Sequence, residues 1–299
     1  MIDLHAHTNL SDGTCTPGQL IEKALANGLE ALAICDHDTF DGYDQAAPLA
    51  ASAGLELVCG IELSTHMEVL ANSRHRSVHL LGYFLDRKPT EEFRNWLREI
   101  QENRHKRNRA LVSRLQSLGI DITLEEVRAI GGNLAGRPHF ATILVQKAYV
   151  DSIQDAFTVY LADSAKAYVE REEPSLTEGI REIRRAGGLT SLAHPVRFGN
   201  NNIQQVERVV ARSRDERLDA IEVYHSDHST KDVEAYLLLC RRYGLGVTGG
   251  SDFHGGTKPG IELGSGKNRN LSIPRTLLEQ MRTLEKLRND LPRWHPERR

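Results

Sequence analysis

The sequence contains few cysteines, and none of them form a Cys-x-x-Cys pair. The four cysteines, Cys15, Cys35, Cys59 and Cys240, are scattered in a way that suits neither a disulfide framework nor a zinc site built from thiolates. Cys35 and Cys59 stand inside apolar, strand-like runs, where a free cysteine behaves as a small buried hydrophobic residue. We therefore expect the chemistry of this chain to reside in other side chains.

Long apolar runs and a strong charge imbalance are also missing. No stretch reaches the roughly 20 apolar residues that cross a bilayer, and no charged segment leads into an apolar one as in a secretion signal. With 38 basic and 41 acidic residues the formal net charge is -3, which gives no global reason to expect binding to nucleic acid or membrane. These features predict a cytoplasmic protein that does not bind membranes and has no evident obligate protein partner.

The order of apolar and helical patterns predicts an α/β fold. Short apolar runs alternate with amphipathic helical patterns, as in repeated βα units of a largely parallel sheet. Seven runs have the character of strands: IDLHAH, EALAICDHD, ELVCGIELS, SVHLLGYFL, LTSLAHP, LDAIEVYH and LGVTGGSDFH. At 299 residues, the chain is long enough for one such domain with a smaller insertion.

Polar helical segments interrupt this alternation between the fourth and fifth strand-like runs. We expect residues 90–169 to form an inserted helical cap, with residues 1–89 and 170–285 as the two parts of the main domain. Residues 286–299 form a charged tail whose last stretch is expected to be frayed.

Side chains that can bind metal lie at or just beyond the end of every predicted strand. Strand ends of parallel α/β sheets converge on one edge, so these side chains should meet there. His5 and His7, two residues apart, point to the same face of the first strand. The candidate metal ligands are His5, His7, Asp12, His37, Glu62, His79, His194, Asp252 and His254. This set exceeds what one ion can bind, and its mixture of imidazoles and carboxylates favours two or three ions of zinc, manganese or iron.

Individual members of this set also have ordinary structural explanations. His79 and His194 lie in apolar runs, where a histidine is more often a hydrogen-bonded core residue than a ligand. Glu62 differs, because a carboxylate in a buried run needs a partner to offset its desolvation, and a cation is the simplest one. Ser251, beside Asp252 and His254, could suggest a serine nucleophile. No nucleophile elbow surrounds it, and neighbouring residues on one strand end point in different directions.

Six motifs, in this order along the chain, resemble the PHP (polymerase and histidinol phosphatase) family of metal-dependent phosphoesterases: DLHAHTNLSDG, ICDHDT, GIELS, VHLLGY, LAHP and SDFH. The resemblance implies a distorted (β/α)7 TIM-like barrel with the helical insertion. It also implies three ligand sets: His5, His7, Glu62 and Asp252 for one ion; Glu62, His79 and His194 for a second; Asp12, His37 and His254 for a third. Such ions lower the pKa of bound water and supply the attacking hydroxide.

One segment of the predicted insertion indicates the class of substrate. In LAGRPHFATILV, Arg137 and His139 flank a proline at a predicted helix start, where a guanidinium and backbone amides suit phosphate binding. This segment is similar to the PHP subgroup that hydrolyses nucleoside 3',5'-bisphosphates and short RNA 5' ends, in which the arginine contacts substrate phosphate. By that similarity the substrate is a small nucleotide or a short RNA 5' end. Two alternatives are a histidinol-phosphate phosphatase and a non-catalytic, metal-stabilised module.

Further candidate site residues follow the LAHP and VYH segments. Arg197, His225 and His228 are candidates for substrate binding, and His225 could also deliver a proton to the leaving alkoxide. They could equally be solvated loop residues. Together with Asp252 and Arg137, His225 completes the predicted catalytic set. The arginine-rich stretch at residues 94–116 has interleaved glutamates, which favour a solvated helix face over a nucleic-acid-binding stripe.

Overall fold

Seven strands form one sheet in the order β1-β2-β3-β4-β5-β6-β7, which matches the seven predicted strands. The computed structural model describes residues 1–68, 75–132, 134–163, 165–170, 172–199 and 202–289. The strands of this sheet are β1 (Ile2–Ala6), β2 (Ala31–Ile34), β3 (Glu56–Glu68), β4 (His75–Phe84), β5 (Leu189–Leu192), β6 (Ala220–His225) and β7 (Gly246–Gly250). A small hairpin of β8 (Ile261–Glu262) and β9 (Gly266–Lys267) follows.

Helices connect the strands and form the insertion. Those of the main domain are α1 (Pro17–Ala26), α2 (Asp41–Ala53), α7 (Leu176–Arg185), α8 (Pro195–Gly199), α9 (Ile203–Arg214), α10 (Thr230–Tyr243) and α11 (Thr276–Asn289). Between β4 and α7 lie α3 (Glu91–Ser117), α4 (Leu124–Gly131), α5 (Arg137–Gln146) and α6 (Ile153–Ala156), which continues into a π-helical turn at Phe157–Leu161. No helix of the described ranges combines the length and apolarity needed to span a membrane.

Local sequence signals explain where several helices begin. Thr16 caps α1 and is followed by proline at the first helical position, with Gln19 closing a capping box. Ser229 and Asp232 form the same arrangement at the start of α10. These side chains satisfy backbone N–H groups that have no partner within the helix. The starts of α1 and α10 are thus defined by local sequence.

The fourth strand departs from the predicted parallel arrangement. β4 runs antiparallel to both β3 and β5, whereas the remaining neighbours in the sheet are parallel. β3 also continues beyond the predicted end, to Glu68. The prediction that every ligand lies at a strand end is therefore wrong for Glu62 and His79, which lie inside β3 and β4. In the register of this pair Glu62 is opposite Leu81, and His79 is opposite Ser64.

The first strand and the segment after the last strand close the sheet into a barrel. The backbone N–H of Asp252 donates to the carbonyl of His5 at 2.8 Å, and the N–H of His7 donates to the carbonyl of Phe253 at 2.9 Å. A Cβ atom on Gly250 would lie 2.3 Å from the backbone nitrogen of His5. Only glycine permits this approach, which brings ligands from both ends of the chain to one point.

The region predicted as an insertion is helical and has its own apolar cluster. Leu111, Leu115, Ile122, Phe140 and Leu144 are buried there, together with residues of α4 and of the π-helical turn. Its exact boundaries remain a prediction. The predicted charged tail begins inside α11, which runs from Thr276 to Asn289. Residues 290–299, where fraying is expected, lie outside the described residues.

Candidate metal centre and its cavity

Glu62 lies at the centre of the predicted ligand cluster and is almost completely buried. Its Oε2 atom is 3.2 Å from Nε2 of His5, 3.1 Å from Nε2 of His7 and 3.4 Å from Nδ1 of His37. Its Oε1 atom is 2.8 Å from Nδ1 of His79 and 2.7 Å from Nε2 of His194. One carboxylate thus faces five imidazoles, an arrangement suited to bridging metal ions.

Asp12 connects a second group of ligands at the edge of the first. Its carboxylate is 3.4 Å from Nδ1 of His7, 3.6 Å from Nε2 of His37 and 3.2 Å from Nε2 of His254. The imidazole rings of His7 and His254 stack with centroids 4.0 Å apart. The third predicted ligand set therefore meets at one point, and His7 joins it.

Three groups of potential ligand atoms lie close enough together to hold a metal ion each. They are His5, His7, Glu62 and Asp252; His7, Asp12, His37 and His254; and His37, Glu62 and His79. The first group is identical to the set that the resemblance implies. The third contains His37 in place of His194, although His194 also contacts Glu62. All nine predicted ligands are thus neighbours in one cluster.

Buried polar atoms without hydrogen bonds support metal binding at this cluster. Among the described residues these include His37 Nδ1, His194 Nδ1, Asp252 Oδ1 and His254 Nε2. Burying such atoms without a partner is costly, and native proteins rarely do so without a reason. Imidazole nitrogens and carboxylate oxygens are ligands for divalent ions, so the residues present fit the metals that the motifs imply.

The charges of the cluster shift its pKa values in opposite directions. Burial alone would lower the pKa of His7, but the neighbouring carboxylates of Asp252 and Glu62 raise it to about 9. His37 is dominated by burial, which lowers its pKa to about 3. Burial would raise the pKa of Glu62, yet His37 and the other imidazoles hold it well below its usual range. The carboxylate is therefore ionised and available to a cation.

Three residues next to the cluster have left-handed backbone conformations that only glycine adopts without cost. Asp38, His194 and Asp252 have φ values of 56°, 24° and 56°. Such strain persists only where surrounding contacts enforce it, and it concentrates at functional sites. Two of these residues are predicted metal ligands, and the third follows His37 directly.

Glu222 is a buried carboxylate that the sequence reasoning missed. It lies in β6, where its Oε1 atom is 2.8 Å from Nδ1 of His5 and its Oε2 atom accepts the backbone N–H of His194 at 2.8 Å. A partner on Nδ1 fixes the ring orientation and leaves Nε2 toward the metal site. The signal was present in AIEVYH, a carboxylate inside an apolar run, which is the same signal that singled out Glu62.

Replacing Glu222 with glutamine should weaken metal binding about 10- to 100-fold, because His5 loses the charged partner that orients it and raises its basicity. Titration of metal-free protein with Mn²⁺ in competition with a chelating dye would measure this. Glu234→Gln changes the same functional group on α10, outside the site, and should leave the affinity at the parent level. Equal affinities for Glu222→Gln and the parent would contradict the supporting role.

A cavity of about 750 Å³ opens above the cluster and is lined by both the barrel and the insertion. On the barrel side the lining includes Asp12, His37, Glu62 and His79. On the insertion side it includes cationic and aromatic residues, namely Arg104, Arg107, Arg137, His139, Phe157 and Tyr168. The lining opposite the metal ligands also carries the carboxylates of Asp163, Glu170, Glu172 and Glu173, so the metal ligands face three arginines within a wall of mixed charge.

The expected solvated face of residues 94–116 is wrong for two of its arginines. Arg104 and Arg107 are each only 6% exposed and line the cavity. Arg104 forms an ion pair with Asp38 and donates to the hydroxyl of Ser64 at 3.1 Å. Other arginines of this helix, such as Arg98 and Arg109, pair with glutamates at the surface as expected. One face of α3 therefore belongs to the site.

The predicted phosphate-binding pair lies at the start of α5. Arg137 lines the cavity and is 3.3 Å from a carboxylate oxygen of Asp163. His139 is buried, and its Nδ1 atom accepts the backbone N–H of Gly136 at 2.9 Å. His139 lies near Asp12, whose charge acts on its pKa, although burial dominates and lowers that pKa. The insertion thus reaches the residues that would hold the predicted third ion.

The remaining predicted site residues differ in their access to this cavity. Arg197 lines it, whereas His225 and His228 are buried outside the lining. His225 contacts Asp252 at 3.4 Å, and Nδ1 of His228 is 2.8 Å from the carbonyl of Val223. Lys258, which the sequence reasoning missed, lines the cavity and donates to Asp252 at 2.7 Å. Its signal was a lone cation four residues after the SDFH motif.

The PHP domain model matches residues 3–170. A 3',5'-nucleoside bisphosphate phosphatase of Chromobacterium violaceum is 32% identical over 266 residues, which cover 88% of this chain and 90% of that protein. A 5'-3' exoribonuclease of Haemophilus influenzae is 31% identical over 252 residues, which cover 84% of this chain and 89% of that protein.

A solved structure has the same architecture. A protein from Bifidobacterium adolescentis, described as a metal-dependent phosphoesterase, superposes with a TM-score of 0.78 and is 32% identical. The match covers 95% of this chain and 96% of that one. Together with the seven-stranded sheet, this likeness confirms the predicted distorted barrel.

Proposed function

Since this chain belongs to the PHP domain family and is a metal-dependent phosphoesterase, we propose that it removes a phosphate from a nucleotide, namely the 3'-phosphate of a nucleoside 3',5'-bisphosphate. The observation that carries the proposal is the cavity, in which the ligand cluster faces Arg104, Arg107 and Arg137. A substrate with two phosphates matches this arrangement, because one phosphate can bind at the ions while guanidinium groups bind the other.

We propose that the nine clustered side chains hold two or three divalent ions, of manganese, iron or zinc. When bound, such ions lower the pKa of water and neutralise charge on the phosphoryl oxygens. The protein's own contribution is positional. Glu62 presents both carboxylate oxygens to the cluster, while Glu222 fixes His5 from behind.

The remaining part of the cavity suits a nucleoside. Phe157 and Tyr168 contribute aromatic surface to the lining, and planar bases stack on such side chains. Phe157 begins the π-helical turn of the insertion, a local conformation that is frequent at functional sites. Related processing of a short RNA from its 5' end would use the same ions and the same three arginines, in a cytoplasmic setting.

A substrate panel tests this proposal directly. The manganese-loaded protein should hydrolyse adenosine 3',5'-bisphosphate with the highest kcat/KM, and 5'-phosphorylated oligonucleotides should be processed more slowly. Histidinol phosphate carries a single phosphate and should be a poor substrate, because it offers no second phosphate to Arg104, Arg107 and Arg137. Preference for histidinol phosphate would overturn the proposal, and inactivity toward every member would favour a non-catalytic module.

Replacing Arg137 with methionine should lower kcat/KM for adenosine 3',5'-bisphosphate about 10- to 100-fold, because a charge-assisted hydrogen bond to the second phosphate is lost. Adenosine 3'-monophosphate lacks that phosphate and should be affected less than threefold. Arg128→Met, an exposed arginine on α4, is the matched control. Equal losses on both nucleotides, or a loss of bound metal, would remove Arg137 from the substrate-binding role.

A further inference from the structure

The two oxygens of Asp252 have different surroundings. Oδ1 points to the ligand cluster, 3.5 Å from Nε2 of His5 and 3.3 Å from Nε2 of His7, and has no hydrogen bond among the described residues. Oδ2 is approached by Lys258 at 2.7 Å, Arg197 at 2.8 Å and the His225 ring at 3.4 Å. A carboxylate oxygen has two lone pairs, so three donors compete for them.

Two of these donors are fixed by further contacts. Nδ1 of His225 accepts the backbone N–H of Asp227 at 3.0 Å, which directs its Nε2 hydrogen toward Asp252. Arg197 donates through Nε and Nη2 to the carboxylate of Asp227, at 3.2 and 2.8 Å. Arg197 and His225 therefore hold Oδ2 whether or not Lys258 is present.

Lys258 is the donor that is free to turn. Its ammonium has three N–H groups, and within the residues the structure describes it hydrogen-bonds to Asp252 alone. The group lines the cavity at the end of a flexible stem, with the side chain 30% exposed. It also lies near His254, whose pKa is lowered by burial and by nearby positive charges that include Lys258. The two remaining N–H groups of the ammonium and its positive charge are thus available to a ligand in the cavity above the metal-binding cluster.

We propose that Lys258 is a catalytic residue that binds a non-bridging oxygen of the phosphoryl group undergoing hydrolysis. Its ammonium keeps or exchanges its contact with Asp252 and donates one or two hydrogen bonds to that oxygen. No proton is transferred, and Lys258 breaks and forms no covalent bond. In the transition state negative charge is spread over the equatorial oxygens of the phosphoryl group, and a fixed cation at one of them stabilises that charge. The proposal rests on the phosphoesterase activity and holds for any phosphate ester substrate.

Substitution of Lys258 with methionine removes the charge and retains the stem. We expect kcat/KM for the best substrate of the panel to fall about 100-fold. In calorimetric titration of the manganese-loaded protein, the dissociation constant of inorganic phosphate should rise about tenfold or more, because a charge-assisted hydrogen bond is lost. Bound metal, measured by elemental analysis, should equal that of the parent. Lys258→Arg should recover most of the phosphate binding.

Lys267→Met is the matched control, since Lys267 is exposed on β9, away from the cavity. It should match the parent in all three measurements. An unchanged phosphate dissociation constant in Lys258→Met would overturn the proposal. A parallel loss of metal would also overturn it, because Lys258 would then only hold Asp252 in place. Phosphate binding does not depend on which ester is the substrate, so failure of the bisphosphate proposal leaves this test intact.

Discussion

Phosphate ester hydrolysis should fall at least about 1,000-fold when Glu62 is replaced by glutamine, and the protein should bind fewer metal ions. Both oxygens of Glu62 face imidazole ligands, so the amide removes a charge that two groups of ligands share. Several kcal/mol of charge stabilisation at the ions depends on that carboxylate, and each 1.4 kcal/mol corresponds to about tenfold in rate. Steady-state kinetics with manganese and elemental analysis would measure the two effects.

Two controls separate this effect from misfolding. Glu92→Gln changes an exposed glutamate in the first turn of α3 and should leave rate and metal content unchanged. The far-ultraviolet circular dichroism of Glu62→Gln should match that of the parent, because the substitution preserves shape. Full metal content with full activity in Glu62→Gln would show that Glu62 does not bridge ions.

Metal binding should strengthen steeply with pH. Burial would lower the pKa of His7, but the carboxylates of Asp252 and Glu62 raise it to about 9. The pKa of His5 is likewise raised, against burial, by Glu222 and the other carboxylates around it. A metal must displace these protons. We expect the apparent dissociation constant of Mn²⁺ to fall about tenfold per pH unit for each displaced proton between pH 7 and 9, and the contribution of His7 to level off above about pH 9.

The same pKa shifts make the metal-free protein less stable as pH rises, although they make metal binding stronger. Because the folded pKa of His7 exceeds its unfolded value, its contribution to stability is complete below about pH 6.5 and is lost as pH rises through about 9. Urea unfolding of metal-free and metal-loaded protein across this range would measure both trends. His7→Asn should reduce the pH slope of metal binding by about one proton. An affinity that is independent of pH would contradict protonation of the free site.

Much of the site could be predicted because its ligands occupy short motifs that follow strands. The βα alternation indicates which strand ends converge, and convergence brings His5 and Asp252 together although they are far apart in sequence. Strand direction could not be predicted in the same way. An apolar strand buried on both faces has the same pattern in either orientation, so the antiparallel course of β4 became evident only in the folded protein.

The two arginines of α3 that line the cavity were missed although their signal was present. Phe93, Leu97 and Ile100 occupy the buried face of α3, and Leu111 and Leu115 continue it. Arg104 and Arg107 lie on the same face between these apolar residues. Arg104 follows Ile100 by four residues, and Arg107 follows Arg104 by three. Counting charges along the stretch averages over all faces of the helix, whereas the spacing separates the surface arginines from those that face inward.

The closure of the barrel has a consequence for biosynthesis. His5 and His7 are synthesised long before their backbone partners Asp252 and Phe253. At about 5–20 residues per second, the interval is on the order of 10–50 s. During that time the nascent chain carries an incomplete chelating site, so full metal loading has to wait until the segment that contains Asp252 has been synthesised and has joined β1.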